Sequence, residues 1–212
     1  MLDPISAALK QIHWLGHDAF LIAGRRVIYI DPYKIEFAGE VADIILITHD
    51  HPDHCSPDDV KWLRKGETVI VMPPSCADKF KGDVRTVKPG DTLTIKGVTI
   101  DVVPAYNIGK PFHPREAGGV GYIVTTVEGI RIYHAGDTDL IPEMEQVKAD
   151  VALLPVGGIY TMDAGEAAQA ANKIKPKLAI PMHWGTVVGS RQDAERFREL
   201  CAVEVKILKT EK

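Results

Sequence analysis

Five metal-capable side chains stand within the six residues His49-Asp50-His51-Pro52-Asp53-His54, directly after the apolar run Ile44-Ile45-Leu46-Ile47. Three imidazoles and two carboxylates this crowded weaken strand propensity and gain no apolar contact in return; a divalent cation supplies the compensation. Side chains i and i+2 of an extended segment share a face, so His49 and His51, leaving a strand that ends near Thr48, are spaced to grip one ion. Pro52 fixes a backbone angle and ends the strand, which turns Asp53 and His54 toward a second point. Asp50 falls between two ligands and reads as a solvent-facing or supporting carboxylate. Mixed imidazole and carboxylate donors suit zinc first, with manganese or iron as alternatives, whereas an all-oxygen set would suit magnesium or calcium.

Two later residues join this group. Asp137 follows the run Ile130 to His134 beside Gly136, where close backbone approach lets a carboxylate bridge two ions. His183 leaves the buried run Leu178 to Met182 and stands at a strand end. Cys55, next to His54, reads as a small buried neighbour rather than a reactive thiol. Asp31 reads as a buried acceptor that orders the histidine-rich loop, and His134 as a support for Asp137.

The elements that must position these residues follow from pattern. Short strands are expected over Gln11 to Leu15, Ala19 to Ile22, Val27 to Ile30 and Ile44 to Ile47, separated by Gly16, Gly24 and Pro32. Ser56-Pro57-Asp58-Asp59 starts a helix to about Lys65. Strands at Thr68 to Met72, Val84 to Val87 and a Thr92 to Val103 hairpin turning at Lys96-Gly97 lead to a glycine-rich loop, Asn107 to Gly119. The pattern then repeats, with strands Gly121 to Val127, Ile130 to His134, Val151 to Pro155 and Leu178 to Met182. Helices begin at Asp163, a capping-box pattern, and at Ser190, and Val203 to Leu208 reads as a last strand. Two β-rich halves, each with helices, bury all these faces when two sheets lie between helix layers.

Bulk properties exclude several classes. The 212 residues are 45% hydrophobic with a net charge of −4, enough for one domain over 1–212 and without the basic excess of a nucleic-acid binder. Three cysteines, Cys55, Cys76 and Cys201, form no disulfide framework. Met1 to Lys10 lacks the apolar centre of a signal peptide, and no run approaches the ~20 apolar residues of a membrane span. A cytoplasmic protein with a small-molecule substrate, and neither membrane nor nucleic acid as partner, is expected.

The six-residue cluster matches the HxHxDH motif of the metallo-β-lactamase fold superfamily. Ile30-Asp31-Pro32, His134-Ala135-Gly136-Asp137-Thr138 and Pro181-Met182-His183 resemble its other landmarks in matching order. Trp14-Leu15-Gly16-His17 and the Tyr133 to Thr138 stretch resemble its compact hydrolase group, which includes the ascorbate-6-phosphate lactonase-like proteins. The resemblance spans nearly the whole chain and implies an α/β, four-layer αββα sandwich. It also implies one ion on His49 and His51, a second on Asp53, His54 and His183, and Asp137 between them. Family members supply a third histidine to the first ion where this chain reads Ala105-Tyr106-Asn107. Asn107 as an oxygen ligand, His113 from the following loop, or an incomplete first set all fit, with His113 preferred. The resemblance puts His17 near the site, as a substrate contact or a structural residue.

Two ions ~3.5–4 Å apart lower the pKa of a shared water to about 7 and present it as hydroxide. The expected reaction is hydrolysis of an ester, lactone or phosphoester of a small metabolite, with Asp53 orienting the nucleophile as the catalytic carboxylate. Lys110 and Arg115 in the Asn107 to Gly119 loop suggest a hinged lid that meets an anionic substrate. Pocket walls are expected around Tyr106, Tyr160 and Trp184. The rivals are a mononuclear-iron redox enzyme on the same fold, which would consume oxygen, and a non-catalytic metal-binding protein.

Overall fold

Short strands, the central ones buried along their whole length, build two six-stranded sheets in the computed structural model, which describes residues 4–36 and 40–211. Met1 to Asp3, part of the amino-terminal stretch read above, lie outside the described residues. The first sheet holds β1 (Ile12–Gly16), β2 (Ala19–Ala23), β3 (Val27–Ile30), β4 (Ala42–Leu46), β5 (Arg64–Met72) and β6 (Asp83–Thr86), side by side in that order. The second holds β7 (Thr92–Ile95), β8 (Val98–Pro104), β9 (Val120–Thr125), β10 (Arg131–His134), β11 (Val151–Pro155) and β12 (Leu178–Met182), also in chain order. The helices are α1 (Pro4–Leu9), α2 (Pro57–Leu63), α3 (Ala164–Ile174) and α4 (Arg191–Leu200).

Because strand residues alternate faces, each sheet can be buried on both sides. Ile28, Ile30, Ile44, Leu46, Val69 and Val71 belong to a core shared with Ile100, Val102, Tyr122 and Val124 of the second sheet. Their alternates Tyr29, Ile45, Ile47, Ile70 and Met72 cluster instead with Val60 and Leu63 of α2. The alanines of α3 and Phe197 of α4 join the core of the second sheet. The layers are therefore helix, sheet, sheet, helix, the αββα sandwich. Tyr122, fully buried, donates its hydroxyl to the Ile47 carbonyl at 2.7 Å and ties β9 to the end of β4.

Strand direction gathers the functional ends. β3, β4, β5 and β6 run parallel to one another, and two antiparallel pairings return β1 to the same direction as β3. In the second sheet β10, β11 and β12 are parallel, and β8 shares their direction through β9. The carboxyl ends of β1, β3, β4, β8, β10, β11 and β12 then feed loops at one edge of the sandwich. The His183 amide donates to the His17 carbonyl at 3.1 Å, which joins the two sheets' loops there.

Local chemistry sets the boundaries. Ser56 caps α2 with Pro57 behind it, and Asp163 and Glu166 close a reciprocal capping box on α3. Lys96 and Gly97 both take positive φ, 50° and 84°, as a two-residue hairpin of the favoured twist requires. Two expectations are corrected. α2 stops at Leu63, because Arg64 turns extended and pairs with Ala42 at the start of β5. Val203 to Leu208 is not a strand: the segment touches the β12 edge through a single bridge, Val205 to Ala179, and its residues are only half buried or exposed. No helix among the described residues is long and apolar enough to cross a membrane.

The buried face of α3, formed by Ala167, Ala168, Ala170 and Ala171, lets the helix approach β11 closely. Ala171→Leu should destabilise the protein by about 1–3 kcal/mol through overpacking, while Gln169→Leu on the exposed face should shift it by no more than about 0.5 kcal/mol. Urea unfolding followed by circular dichroism measures both.

Candidate metal centre

Asp31 is the anchor of the loop that follows β4. Its left-handed backbone, φ 45°, turns the carboxylate inward, where it accepts from the Thr48 amide at 2.8 Å and the Thr48 hydroxyl at 2.6 Å. The same carboxylate accepts from His54 Nδ1 at 2.8 Å, which leaves His54 Nε2 as the free lone pair. The Thr48 hydroxyl, having given its proton to Asp31, accepts from His49 Nδ1 at 3.0 Å and fixes that ring in the same tautomer. Tyr160 contributes a carbonyl 3.2 Å from His113 Nδ1, with the Asn107 side-chain amide 3.3 Å from the same atom. The outer partners thus aim the Nε2 lone pairs of His49, His54 and His113 inward.

Two of those aimed rings, His49 and His113, form one donor set with His51. His49 Nε2 lies 3.1 Å and His113 Nε2 2.9 Å from His51 Nδ1. A tetrahedral zinc bound at ~2.0–2.1 Å to nitrogen separates its ligand atoms by about 3.3 Å, close to these spacings. One ring proton cannot satisfy three convergent lone pairs, so the set fits a cation. Of the alternatives for the third ligand, the structure brings His113 in. Asn107 donates to the Tyr160 carbonyl at 2.6 Å beside the His113 ring, where it orients that residue.

A second set adjoins the first through Asp137. Asp137 Oδ2 is 3.2 Å from His183 Nε2 and 3.4 Å from His113 Nε2, while Oδ1 is 3.5 Å from His54 Nε2. The carboxylate therefore reaches both groups of donors. His54 Nε2 and Asp137 Oδ1 are buried with no hydrogen-bond partner, the state expected of atoms that serve a cation. Asp53 stands at the rim, its Oδ2 4.0 Å from His54 Nε2 and 3.1 Å from His17 Nε2. His17 is only 1% exposed, and its ring is engaged with Asp53.

One residue of this set escaped sequence reasoning. Ligand atoms of Asp18, His54, Asp137 and His183 all lie within 4.8 Å of one another. The Trp14 to His17 quartet stops one residue short of Asp18, although a tight turn marked by Gly16 and His17 in left-handed conformation was the signal available.

Electrostatics suit cation capture. Burial, with neighbouring imidazoles adding to it, pushes His49 and His54 well below the ordinary imidazole range and His113 to about 4. The rings are neutral at neutral pH, the form that ligates. Burial raises the Asp137 carboxyl well above the usual carboxylate range. For Asp53 burial works the same way but is outweighed by the His17 hydrogen bond and the closeness of the His54 and His17 rings, which hold it well below that range.

The cations of the expected anionic-substrate lid are engaged in internal pairs. Lys110 is bound to the Asp139 carboxylate at 2.5 Å and the Thr161 carbonyl at 2.7 Å, and Arg115 to Glu143 at 2.8 Å while stacked on Tyr106. The Ile108 amide donates to Asp139, and Asn107 and His113 are tied to Tyr160, so the loop is pinned where a hinge was expected. The opening beside the donors is a cavity of about 240 Å³ lined by His51, Asp53, Phe112, His113, Asp137, Tyr160, His183 and Val187. Of the expected walls only Tyr160 lines it; Tyr106 bonds Glu143 and Trp184 packs on Trp14.

Two sheets back to back with imidazoles and carboxylates converging at one edge define a metal-centred enzyme of the αββα class. A family model described as the beta-lactamase superfamily domain matches residues 11–183. A UPF0173 metal-dependent hydrolase of Thermoplasma acidophilum is 34% identical over 205 residues, 90% of each chain. One of Methanoculleus marisnigri is 37% identical over 198 residues, 89% of this chain and 87% of the relative. A crystal structure from Parabacteroides distasonis, described as a metal-dependent hydrolase, superimposes with a TM-score of 0.84 at 34% identity, over 94% of this chain and 93% of that one. The chain belongs to the metallo-β-lactamase superfamily, as a metal-dependent hydrolase of the UPF0173 family.

Two substitutions test the geometry. His113→Ala should weaken metal binding by more than the ~10–100-fold expected of Asn107→Ala, which removes only an outer partner; titration calorimetry with zinc decides, and the reverse order would reject His113 as ligand. A Cβ on Gly157 would stand 2.5 Å from the His183 carbonyl and 2.9 Å from its Nδ1. Gly157→Ala should therefore displace His183 and lower metal content per chain, measured by elemental analysis after dialysis.

Proposed function

We propose that the protein hydrolyses a carboxylic ester or lactone of a small metabolite at a centre of two divalent ions, zinc in the first instance. His49, His51 and His113 would hold one ion, His54, His183 and Asp53 the other, and Asp137 both. The observation that carries this reading is the pair of donor sets sharing Asp137 at the mouth of one small cavity. Bound there, the ions supply Lewis acidity, which acidifies water and polarises a scissile carbonyl or phosphoryl oxygen.

The chain's own residues do the rest. Asp53, kept ionised by His17, faces the cavity and accepts a hydrogen bond from the attacking water, fixing its line of approach. Phe112, in edge-to-face contact with Tyr160, and Val187 form an apolar wall that shields the scissile group from bulk water. Neither Lys nor Arg lines the cavity, so an uncharged ester or lactone suits it better than the anionic substrate or phosphoester also considered from sequence. Its volume is below the roughly 300–1,000 Å³ of drug-sized sites, which supports a small substrate, and a net charge of −4 without a basic excess supports a protein that does not take nucleic acid as a partner.

The test is a panel of esters, lactones, thioesters and phosphodiesters given to metal-loaded and chelator-treated protein. Ester or lactone turnover that disappears with chelation and returns with metal is the expected result. Asp53→Asn should lower kcat by about 10²–10⁴-fold. Turnover confined to phosphodiesters would reject the substrate class, and no turnover of any member would reject the proposal.

A further inference from the structure

Asp18 has no task in the reading above, yet it is among the most enclosed polar residues of the chain. Its side chain is 0% exposed, and neither carboxylate oxygen has a hydrogen-bond partner. The turn that aims it is held from several sides. His134 Nε2 donates to the Asp18 carbonyl at 2.9 Å, and both Trp14 Nε1 and the His183 amide donate to the His17 carbonyl, at 2.8 and 3.1 Å. An ionised carboxylate sealed from water without a donor is strongly disfavoured, and a second one, Asp137, shares the same small space. A proton shared between the two carboxyls would relieve them but leave His54 Nε2 still without a partner. A cation among Asp18, Asp137, His54 and His183 satisfies all four.

We propose that Asp18 is a direct ligand at the second donor set and makes that set select a hard divalent cation such as Mn²⁺, while the three-imidazole set retains Zn²⁺. The inference rests on the two-ion reading above and extends it. The first set offers three nitrogens and one oxygen of Asp137, a tetrahedral zinc complement. The second offers two nitrogens against carboxylates from Asp18 and Asp137, with Asp53 at its rim, an oxygen-rich set of higher coordination number that suits manganese or ferrous iron.

The experiment offers zinc and manganese together to the metal-free full chain and to Asp18→Asn, with metal content read by elemental analysis and bound manganese by electron paramagnetic resonance. Wild type is expected to hold one ion of each kind, and Asp18→Asn to keep its zinc while binding manganese at least ~10-fold more weakly. Unchanged manganese affinity in a folded Asp18→Asn, or two zinc ions in wild type, would overturn the role of Asp18 and leave the two-ion reading standing. A single ion in total on wild type would overturn both. Should Asp18→Asn not fold, a crystal structure of manganese-loaded wild type decides. An Asp18 oxygen at the ~2.0–2.6 Å of hard-cation ligands supports the assignment, and one outside that range rejects it.

Discussion

Lone pairs that converge in a largely buried cleft are the constraint on which this structure depends. Nitrogen atoms of His49, His51 and His113 stand about as far apart as ligands of one zinc ion, and Asp137 lies against His54, His113 and His183. Without positive charge such an assembly is repulsive, and burial makes the repulsion worse by removing solvent screening. The fold holds it together with a rigid outer layer. Asp31, Thr48 and the Tyr160 carbonyl each take a ring proton or pass one on, so the lone pairs have no freedom to turn away.

That rigidity has a backbone counterpart. His17, Asp31, His113 and His183 all adopt left-handed conformations, with φ between 45° and 58°, in which a residue with a Cβ is strained by roughly 1–2 kcal/mol. Each stands just beyond a strand or in the loop that follows one, where the chain must reverse while its side chain is still directed at the donors or at the residues that support them. Strain of this kind persists only where the surroundings over-determine it. Here the two packed sheets do so, by fixing where each strand ends.

The cleft's electrostatics also separate two kinds of charge. Cations near the mouth are spent on internal pairs, Lys110 with Asp139 and Arg115 with Glu143, and leave the wall to Phe112, Tyr160 and Val187. Negative charge is concentrated instead around the donors. The division suits a centre whose positive charge is supplied by ions and whose substrate is recognised through its shape and apolar surface.

Much of this was written in local sequence. The HDHPDH run, the apolar strands with their turn residues and the two helix caps depend on neighbours a few positions apart, so spacing alone was enough to read two sheets between helices and a metal centre. Contacts between distant residues were a different matter. Sequence preferred His113 over Asn107 as third partner without the contact that places its ring beside His51, the Tyr160 carbonyl 47 residues away in the chain. That Lys110 and Arg115 are occupied follows from Asp139 and Glu143, and that Asp18 belongs to the centre follows from packing the β1 turn against the ends of β10 and β12. Sequence spacing determines which side chains can share a strand end. Only the stacking of one sheet on the other decides which of them meet, because those distances are set by the core between the sheets and by no local pattern.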